Sequence, residues 1–308
     1  MIHTLRSSVV ILLCATIIQG TTECGRAQSV EKDREIRLIV RGDDIGSSHA
    51  ANVACIESYR NGIMRSVEIM VPCPWFPEIA AYAKAHPDYD FGLHLTLTAE
   101  WEEFKWGGAA PSTAIPSLLN EKGFMYASVA EVVENAKPEE VEIELRAQIE
   151  RALQFGVPVT HLDSHMGTLF ASPTFFEIYV KLGAEYKLPV FVPMNAAAGY
   201  PQLQALIGES LIPIDNYYMM GSNREDSKWV AFYSNIIEEM QTGLNLIIIH
   251  LAIDDAEMQA ITINHPDFGS KWRENDLNAM LDKNFKAALE QNNIQLVTWR
   301  QVKSLLNK

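Results

Sequence analysis

The sequence lacks several features that would point to common protein classes. Its 17 glycines and 14 prolines in 308 residues are ordinary numbers, so a collagen-like or disordered chain is excluded. No internal repeat or low-complexity tract is visible. Only 25 Lys and Arg stand against 39 Asp and Glu, which gives a net charge of -14. So acidic a chain would repel phosphate backbones and anionic lipids, and we expect neither nucleic acid nor a membrane surface as a partner.

Long hydrophobic runs are also absent, except at the start of the chain. Met1 to Arg6 carries one positive charge, residues 8–18 are apolar, and residues 25–27 fit a small-x-small cleavage site. This pattern predicts a secretory signal peptide over residues 1–27, and therefore a secreted or periplasmic protein. An uncleaved N-terminal anchor is the alternative. No later segment is apolar enough to span a bilayer.

Cysteine is scarce as well. Cys14 and Cys24 would leave with the signal peptide, so Cys55 and Cys73 would remain in an oxidising compartment. They could form a disulfide. Two buried thiols are the other interpretation, because Cys55 lies in a helical pattern and Cys73 at the end of a strand pattern.

Strand-length apolar runs alternate with helical patterns along residues 28–308. The predicted strands are 37–41, 66–71, 91–95, 158–163, 189–193, 244–251 and 294–299, with 211–214 as a weaker eighth. The predicted helices are 49–61, 75–85, 138–155, 173–186, 227–241 and 275–291. Such alternation is typical of parallel β/α units. With no linker that would divide the chain, we predict one α/β domain, a single irregular (β/α) barrel of seven or eight mostly parallel strands.

One stretch, residues 96–136, interrupts this alternation. A long connection in a compact domain is usually a lid or a binding loop. It contains Trp101 and Trp106, which could stack on sugar faces, as could Tyr217 and Tyr218. Packing in the core or under a lid is the other interpretation of these four aromatic residues.

Two adjacent carboxylates, Asp43 and Asp44, directly follow the first predicted strand. Catalytic groups of barrel enzymes lie at the C-terminal ends of strands. A pair of carboxylates at such an end can divide the work, one binding a cation and the other acting as a base. The alternative is that one of them caps the helix that begins near Ser48.

Histidines mark the ends of three further strands. His94 lies inside an apolar strand, where a core residue is the alternative to a functional one. His161, Asp163 and His165 alternate, so they share one face of their strand and are costly to bury without a cation or a polar network. His250 ends the most hydrophobic strand. Because the ends of parallel strands converge on one mouth of a barrel, these groups predict a metal-assisted hydrolase.

These motifs resemble the YdjC-like (ChbG/HpnK) carbohydrate deacetylases, relatives of the polysaccharide deacetylases. The resemblance runs in order over most of the chain. Its parts are RGDDIG (41–46), Asn52 with RNGIMRS (60–66), GLHLT (92–96), THLDSH (160–165) and the strand that ends at His250.

The resemblance implies hydrolysis of N-acetyl groups on amino sugars or oligosaccharides by an irregular (β/α) barrel. It implies Asp44, His94 and His165 as ligands of one divalent metal ion, with zinc or magnesium expected. Asp43 is then the general base and His250 the general acid. His161 is expected to orient His165 or to pack beneath the site.

Two rival functions use the same residues. A metal-dependent phosphoesterase would need the same ligands, but the chain shows neither a glycine-rich phosphate loop nor a cluster of Lys and Arg near the motifs. A non-catalytic secreted sugar-binding barrel is the second rival, and the presence of Asp43 and His250 argues against it. The sequence does not decide whether the chain forms a homodimer.

Overall fold

Strands and helices alternate along residues 35–193, 211–222 and 225–306, which the computed structural model describes. The strands are β1 Ile36–Ile45, β2 Ser66–Ile69, β3 Phe91–Leu95, β4 Val159–Ser164, β5 Val190–Pro193, β6 Leu211–Ile214, β7 Asn216–Met219, β8 Gly243–His250 and β9 Gln295–Leu296. The helices are α1 His49–Asn61, α2 Phe76–Ala85, α3 Val129–Asn135, α4 Pro138–Phe155, α5 Pro173–Tyr186, α6 Trp229–Glu239, α7 Ala256–Ile261, α8 Ser270–Leu281, α9 Lys283–Gln291 and α10 Trp299–Leu306.

The strands form one nearly closed parallel barrel. Their order is β6-β5-β4-β3-β2-β1-β8-β7, and the two-residue strand β9 pairs beside β1. The inner part of β8, Leu246 to Ile249, has almost no exposed surface, as expected for a strand covered on both faces. The predicted irregular (β/α) barrel is therefore confirmed.

Helix boundaries follow local sequence signals. Ser48 caps α1 by accepting a hydrogen bond from the amide of Ala51, and Gly156 ends α4 with a left-handed φ of 84°. Pro173 opens α5 directly after Ser172. Neither Asp43 nor Asp44 caps α1, so that alternative is wrong: Ser48 itself performs this role.

The end of β1 bends sharply into α1. Asp44 has a φ of 65°, a left-handed conformation that few residues other than glycine, asparagine and aspartate adopt. The Asp44 carbonyl accepts hydrogen bonds from the amide and hydroxyl of Ser47, at 3.2 and 2.6 Å. Asn52 Oδ1 accepts the amide of Gly46 at 2.7 Å. These bonds hold the two carboxylates at the mouth of the barrel.

The C-terminal third differs from the prediction in its boundaries. The predicted helix 275–291 is two helices, α8 and α9, because Asp282 takes an extended conformation and its carboxylate caps Asn284 and Phe285. The predicted strand 294–299 shrinks to β9. The side-chain oxygen of Gln301 accepts the backbone N–H of Thr298, and the Thr298 hydroxyl accepts the backbone N–H of Gln301. This capping box starts α10 at Trp299.

Other elements were missed because their patterns are short. Strand β7, with alternating burial, went unrecognised beside the weaker strand β6, which is confirmed. Helices α3 and α7 have 7 and 6 residues. Short elements carry too few periodic positions for a helical or strand pattern to stand out.

The signal peptide predicted for residues 1–27, with Cys14 and Cys24, lies outside the described residues. Cys55 and Cys73 are both buried and free, which agrees with two thiols rather than a disulfide. Among the described residues, no helix is long and apolar enough to cross a membrane.

Candidate active site

The C-terminal ends of the strands surround a cavity of about 710 Å³. Its floor is polar and its walls are largely apolar. The floor contains Arg41, Asp43, Asp44, His94, Asp163, His165, His250 and Arg273, and the walls include Trp101, Met166, Phe170, Phe191, Tyr217, Met219, Ile248 and Phe268. All five residues predicted for metal binding and catalysis therefore meet in one place.

Asp44, His94 and His165 lie together as a compact set of donor atoms. Asp44 Oδ1 lies 3.5 Å from His94 Nε2 and 3.3 Å from His165 Nδ1. Ligand atoms of the three residues all lie within 4.8 Å of one another. Asp44 Oδ1 is buried and forms no hydrogen bond of ordinary geometry. One carboxylate and two imidazoles suit zinc and similar divalent cations, which hold such atoms roughly 3–3.5 Å apart.

A second carboxylate lies against each imidazole of this set. Asp163 Oδ2 lies 3.0 Å from His94 Nδ1, so that His94 Nε2 faces Asp44. Glu100 Oε2 lies 3.1 Å from His165 Nε2, which turns His165 Nδ1 toward Asp44. Carboxylates in this position fix the ring orientation and tautomer of metal-binding histidines.

The charged surroundings shift the pKa values of these groups. Burial opposes protonation of His165, but the charge of Glu100 and the proximity of Asp44 outweigh it and raise its pKa to about 10. The pKa of His94 is raised as well, because Asp43 and Asp163 outweigh its burial. The pKa of Asp44 is held well below its usual range by Arg273 and His165, against the effect of burial. A cation would replace the protons on the two rings, so metal binding should release protons.

Asp43 lies beside the donor set but has a different partner. Its two oxygens accept hydrogen bonds from Arg41 Nε and Nη2, at 2.7 and 2.8 Å. Arg41 Nη2 also lies 3.0 Å from Asp163. Asp43, His94 and Asp163 are a second group with suitable metal-binding atoms. Arg41 binds both oxygens of Asp43, whereas Arg273 binds only Oδ2 of Asp44 and leaves Oδ1 facing the imidazoles. The arrangement therefore favours a single cation, at Asp44.

His250 lies opposite Asp43, since the two residues are register partners on adjacent strands. Its ring packs against Phe268 with centroids 4.9 Å apart, and its Nδ1 is buried without a hydrogen bond. Burial lowers the pKa of His250 to about 4. The imidazole is therefore neutral at neutral pH.

His161 lies inside β4, four residues before His165, and bonds other residues. Its Nε2 bonds Glu68 Oε1 and lies 3.3 Å from Ser66 Oγ, while its Nδ1 lies 2.8 Å from Thr160 Oγ1. Its ring stacks on Trp299. Of the two roles predicted for His161, packing beneath the site agrees with the structure, whereas Glu100 orients His165.

The four aromatic residues considered for sugar stacking divide into two pairs. Trp101 and Tyr217 line the cavity, and Tyr217 is half exposed. Trp106 is buried and donates its indole N–H to the carbonyl of Thr98, and Tyr218 packs against the core. The long connection 96–136 is anchored at Ala109 and Ala110, whose amides bond the buried carboxylate of Glu144 in α4.

Sequence reasoning missed several polar residues of the site. Glu100 follows β3 closely and could have been found as a carboxylate near a strand end. Arg273 and Asp276 lie in α8, and their only signal was two opposite charges one helical turn apart on a buried face.

Comparison with known proteins gives the family. The family model described as YdjC-like protein matches residues 37–291. The chain belongs to the YdjC-like family. A carbohydrate deacetylase of Thermus thermophilus is 30% identical over 279 residues, covering 87% of this chain and 94% of the relative. A carbohydrate deacetylase of Brevibacillus brevis is 29% identical over 269 residues, covering 87% and 100%.

A solved structure supports the fold of this YdjC-like protein independently. An Enterococcus faecalis protein named for cellobiose-phosphate cleavage superposes with a TM-score of 0.74 at 21% identity, covering 87% of this chain and 99% of that chain.

Proposed function

We propose that this YdjC-like protein is a metal-dependent carbohydrate deacetylase that removes the N-acetyl group from an amino sugar or an oligosaccharide. The observation that carries the proposal is the position of Asp44 Oδ1. This buried oxygen forms no hydrogen bond of ordinary geometry, yet two imidazole nitrogens face it at 3.3 and 3.5 Å. Such an atom in a native protein calls for an explanation, and a bound cation supplies one.

The charge balance of the donor set and its polar neighbours supports a divalent ion. Four carboxylates face two guanidinium groups, which leaves two negative charges for a divalent cation to neutralise. The carboxylates are Asp43, Asp44, Asp163 and Glu100, and the guanidinium groups are Arg41 and Arg273. Asp44, His94 and His165 would hold the ion. When bound, it would lower the pKa of a water molecule and polarise the amide carbonyl.

We assign the role of general base to Asp43. Arg41 holds both of its oxygens, which fixes the carboxylate at the floor of the cavity and leaves the remaining lone pairs available to a water proton. Asp43 Oδ2 lies 3.7 Å from His94 Nε2, so the base lies beside the donor set. A positioned base is expected to contribute roughly 10²- to 10⁴-fold to the rate.

We assign the role of general acid to His250. An amine is a very poor leaving group unless it is protonated, so amide hydrolysis needs a proton donor near the nitrogen. With a pKa of about 4, the free His250 ring carries no extra proton at neutral pH and must first accept one. Its register partner Asp43, which collects the proton of the attacking water, is the nearby source.

The cavity walls fit a ring-shaped, partly apolar substrate. Tyr217 is half exposed and offers a flat face, and Phe170 and Met166 add to an apolar rim. Trp101 lines the cavity but is only 4% exposed, with Arg273 over its ring. Sugar rings present C–H faces that pack on aromatic side chains, while the polar floor receives the acetamido group. This division agrees with an N-acetylated sugar better than with a phosphodiester, which would need cationic groups at the rim.

The direct test is acetate release from N-acetylated chito-oligosaccharides by the full chain, with and without a chelator. We expect acetate to be released, the chelator to stop its release, and zinc or magnesium to restore it. A generic phosphodiester is measured in parallel. Phosphodiester cleavage without acetate release would favour the phosphoesterase, and sugar binding without turnover would favour the non-catalytic barrel.

We also propose that the enzyme acts outside the cytoplasm, as a secreted or periplasmic protein. This rests on the signal-peptide pattern of residues 1–27. N-terminal sequencing of protein exported by the native host should find a chain that starts near residue 28. An intact N-terminus would contradict cleavage.

A further inference from the structure

Helix α8 faces the floor of the cavity with two buried charged residues one turn apart. Arg273 and Asp276 are each 1% exposed. Burying charged groups is costly unless each is paired and hydrogen-bonded, so both must have partners. Arg273 pairs with the proposed metal ligand Asp44, and Asp276 with the backbone of the proposed acid His250.

Arg273 holds the carboxylate of the proposed metal ligand. Its Nη2 donates to Asp44 Oδ2 at 2.7 Å, and its Nε donates to the carbonyl of Phe268 at 2.6 Å. The guanidinium also lies 5.4 Å from the centroid of the Trp101 ring. Because Arg273 engages Oδ2, Asp44 is left with Oδ1 facing the two imidazoles.

Asp276 holds the strand end that carries the proposed acid. Its Oδ2 accepts the backbone amide of His250 at 2.9 Å. Its Oδ1 accepts the indole N–H of Trp229 at 2.7 Å and the hydroxyl of Tyr233 at 2.5 Å. Three donors thus fix this buried carboxylate, and through it the backbone of His250. The His250 ring is fixed from the same side by Phe268, the residue whose carbonyl binds Arg273.

We infer that α8 is a positioning element of the active site: Arg273 sets which oxygen of Asp44 is offered to the cation, and Asp276 sets the position of His250. The inference rests on the proposed deacetylase function. Neither residue touches the substrate in this account, so both are positioning residues. Residues that orient metal ligands typically change metal affinity by 10- to 100-fold when they are removed.

The Arg273 half is tested by metal affinity, which does not require turnover. Metal-stripped full chain is titrated calorimetrically with zinc chloride, comparing wild type, Arg273→Gln and Arg273→Lys. We expect Arg273→Gln to bind zinc roughly 10- to 100-fold more weakly. Arg273→Lys, which keeps the charge, should recover part of the loss. Equal affinity in all three proteins would overturn this half.

The Asp276 half is tested by comparing two leaving groups. In Asp276→Asn the amide N–H₂ group, itself a donor, replaces an acceptor oxygen in either orientation, so at least one of the three hydrogen bonds is lost. We expect zinc affinity within about threefold of wild type, hydrolysis of an N-acetyl sugar reduced roughly 10-fold or more, and hydrolysis of an activated aryl acetate largely kept. Equal losses on both substrates would show that Asp276 only supports the fold.

A neighbour in α8 supplies the matched control. Asn275 lies between the two residues and bonds Asp226 on the protein surface at 2.8 Å. Asn275→Ala should leave zinc affinity and both hydrolysis rates unchanged. If wild type itself releases no acetate, the deacetylase function fails. The inference is then still judged by the Arg273→Gln titration and by the His250 imidazole NMR signals, which should shift in Asp276→Asn but not in Asn275→Ala.

Discussion

Two clusters of carboxylates and imidazoles lie inside the barrel, and only one of them faces the cavity. The upper cluster is Asp43, Asp44, His94 and His165, at the ends of the strands. The lower cluster is Ser66, Glu68, Thr160 and His161, which lie inside the barrel on β2 and β4, before those strands end. Both are almost completely buried, so burial alone does not distinguish a site from a structural network.

The two clusters differ in their access to the cavity, since each contains one buried carboxylate oxygen without a hydrogen bond: Glu68 Oε2 in the lower cluster and Asp44 Oδ1 in the upper. Both ring nitrogens of His161 already have partners, and Trp299 stacks against the ring. A side chain at Gly92 would overlap Glu68 and His161, so the lower cluster leaves no space for a ligand. In the upper cluster Asp44 Oδ1 lacks a hydrogen bond and faces the cavity. A buried oxygen that lacks a hydrogen bond and also faces the cavity distinguishes a candidate metal centre from a packed polar network.

Removing a ligand of the upper cluster should have the largest effect. In Asp44→Ala, His94→Ala and His165→Ala, one of three donor atoms is lost, and with it the charge stabilisation that a cation gives. We expect kcat/KM for an N-acetyl sugar to fall by roughly 10³-fold or more, as measured by acetate release. Near-normal activity in any of the three would remove that residue from the donor set.

Asp43→Asn tests whether the two aspartates of the upper cluster have separate roles. The amide keeps the shape of the carboxylate but cannot accept the proton of water. We expect kcat to fall roughly 10²-fold or more while metal content stays near that of wild type. If the metal is lost as well, the two aspartates do not have separate roles. Asp163, which also lines the cavity, would then be the next candidate base.

His250→Ala should give a smaller effect that depends on the leaving group. Without the acid, hydrolysis of an N-acetyl sugar should fall by roughly 10²-fold, because the amine must leave unprotonated. An activated aryl acetate leaves without protonation, so its hydrolysis should be affected much less. Parallel kinetics with the two substrates measure this difference. Equal losses would assign His250 to substrate positioning or to the fold.

His161→Gln should affect stability rather than metal binding. Losing buried hydrogen bonds of the lower cluster should lower the free energy of unfolding by about 1–3 kcal/mol, as measured by urea denaturation. Metal content should be unchanged, and activity should be weakened. Loss of the metal in His161→Gln, with retention in His165→Gln, would reverse the roles of the two histidines.

The pH dependence of stability provides a second test of the lower cluster. Burial lowers the pKa of His161 from 6.5 to about 4, so the folded state favours the neutral ring. This contribution to stability is complete above about pH 6.5 and is lost as the pH falls toward 4. The loss of stability over that window should therefore be smaller in His161→Gln than in wild type. Identical profiles would show that His161 is not the titrating group.

How much of this site the sequence predicts depends on how far apart along the chain the contacting residues lie. The sequence alone could place four of the site residues together, because the ends of parallel strands meet at one mouth of a barrel. These residues are Asp44, His94, His165 and His250. The contact of Arg273 with Asp44 joins residues 229 positions apart, between a helix and a strand end. Periodicity places a helix on a sheet but does not give its contacts, so the positioning roles of Arg273 and Asp276 needed coordinates.

Local sequence signals set element boundaries less well than element identity. Helices α1, α4 and α5 match their predicted limits, because Ser48, Gly156 and Pro173 are strong end signals. The break between α8 and α9 depends on the conformation of one residue, Asp282, inside an otherwise continuous helical pattern. Tertiary packing decides such a break, and a helical pattern does not reveal it.

The most direct test of the account is the metal content of the purified full chain after dialysis, compared between one variant of each cluster. Elemental analysis should find one equivalent of a divalent metal in wild type and in His161→Gln, and almost none in Asp44→Ala. His265→Ala, which removes another histidine of the cavity, should keep the metal. Equal metal content in wild type and Asp44→Ala, or loss of the metal in His161→Gln alone, would contradict the assignment of the upper cluster as the metal centre.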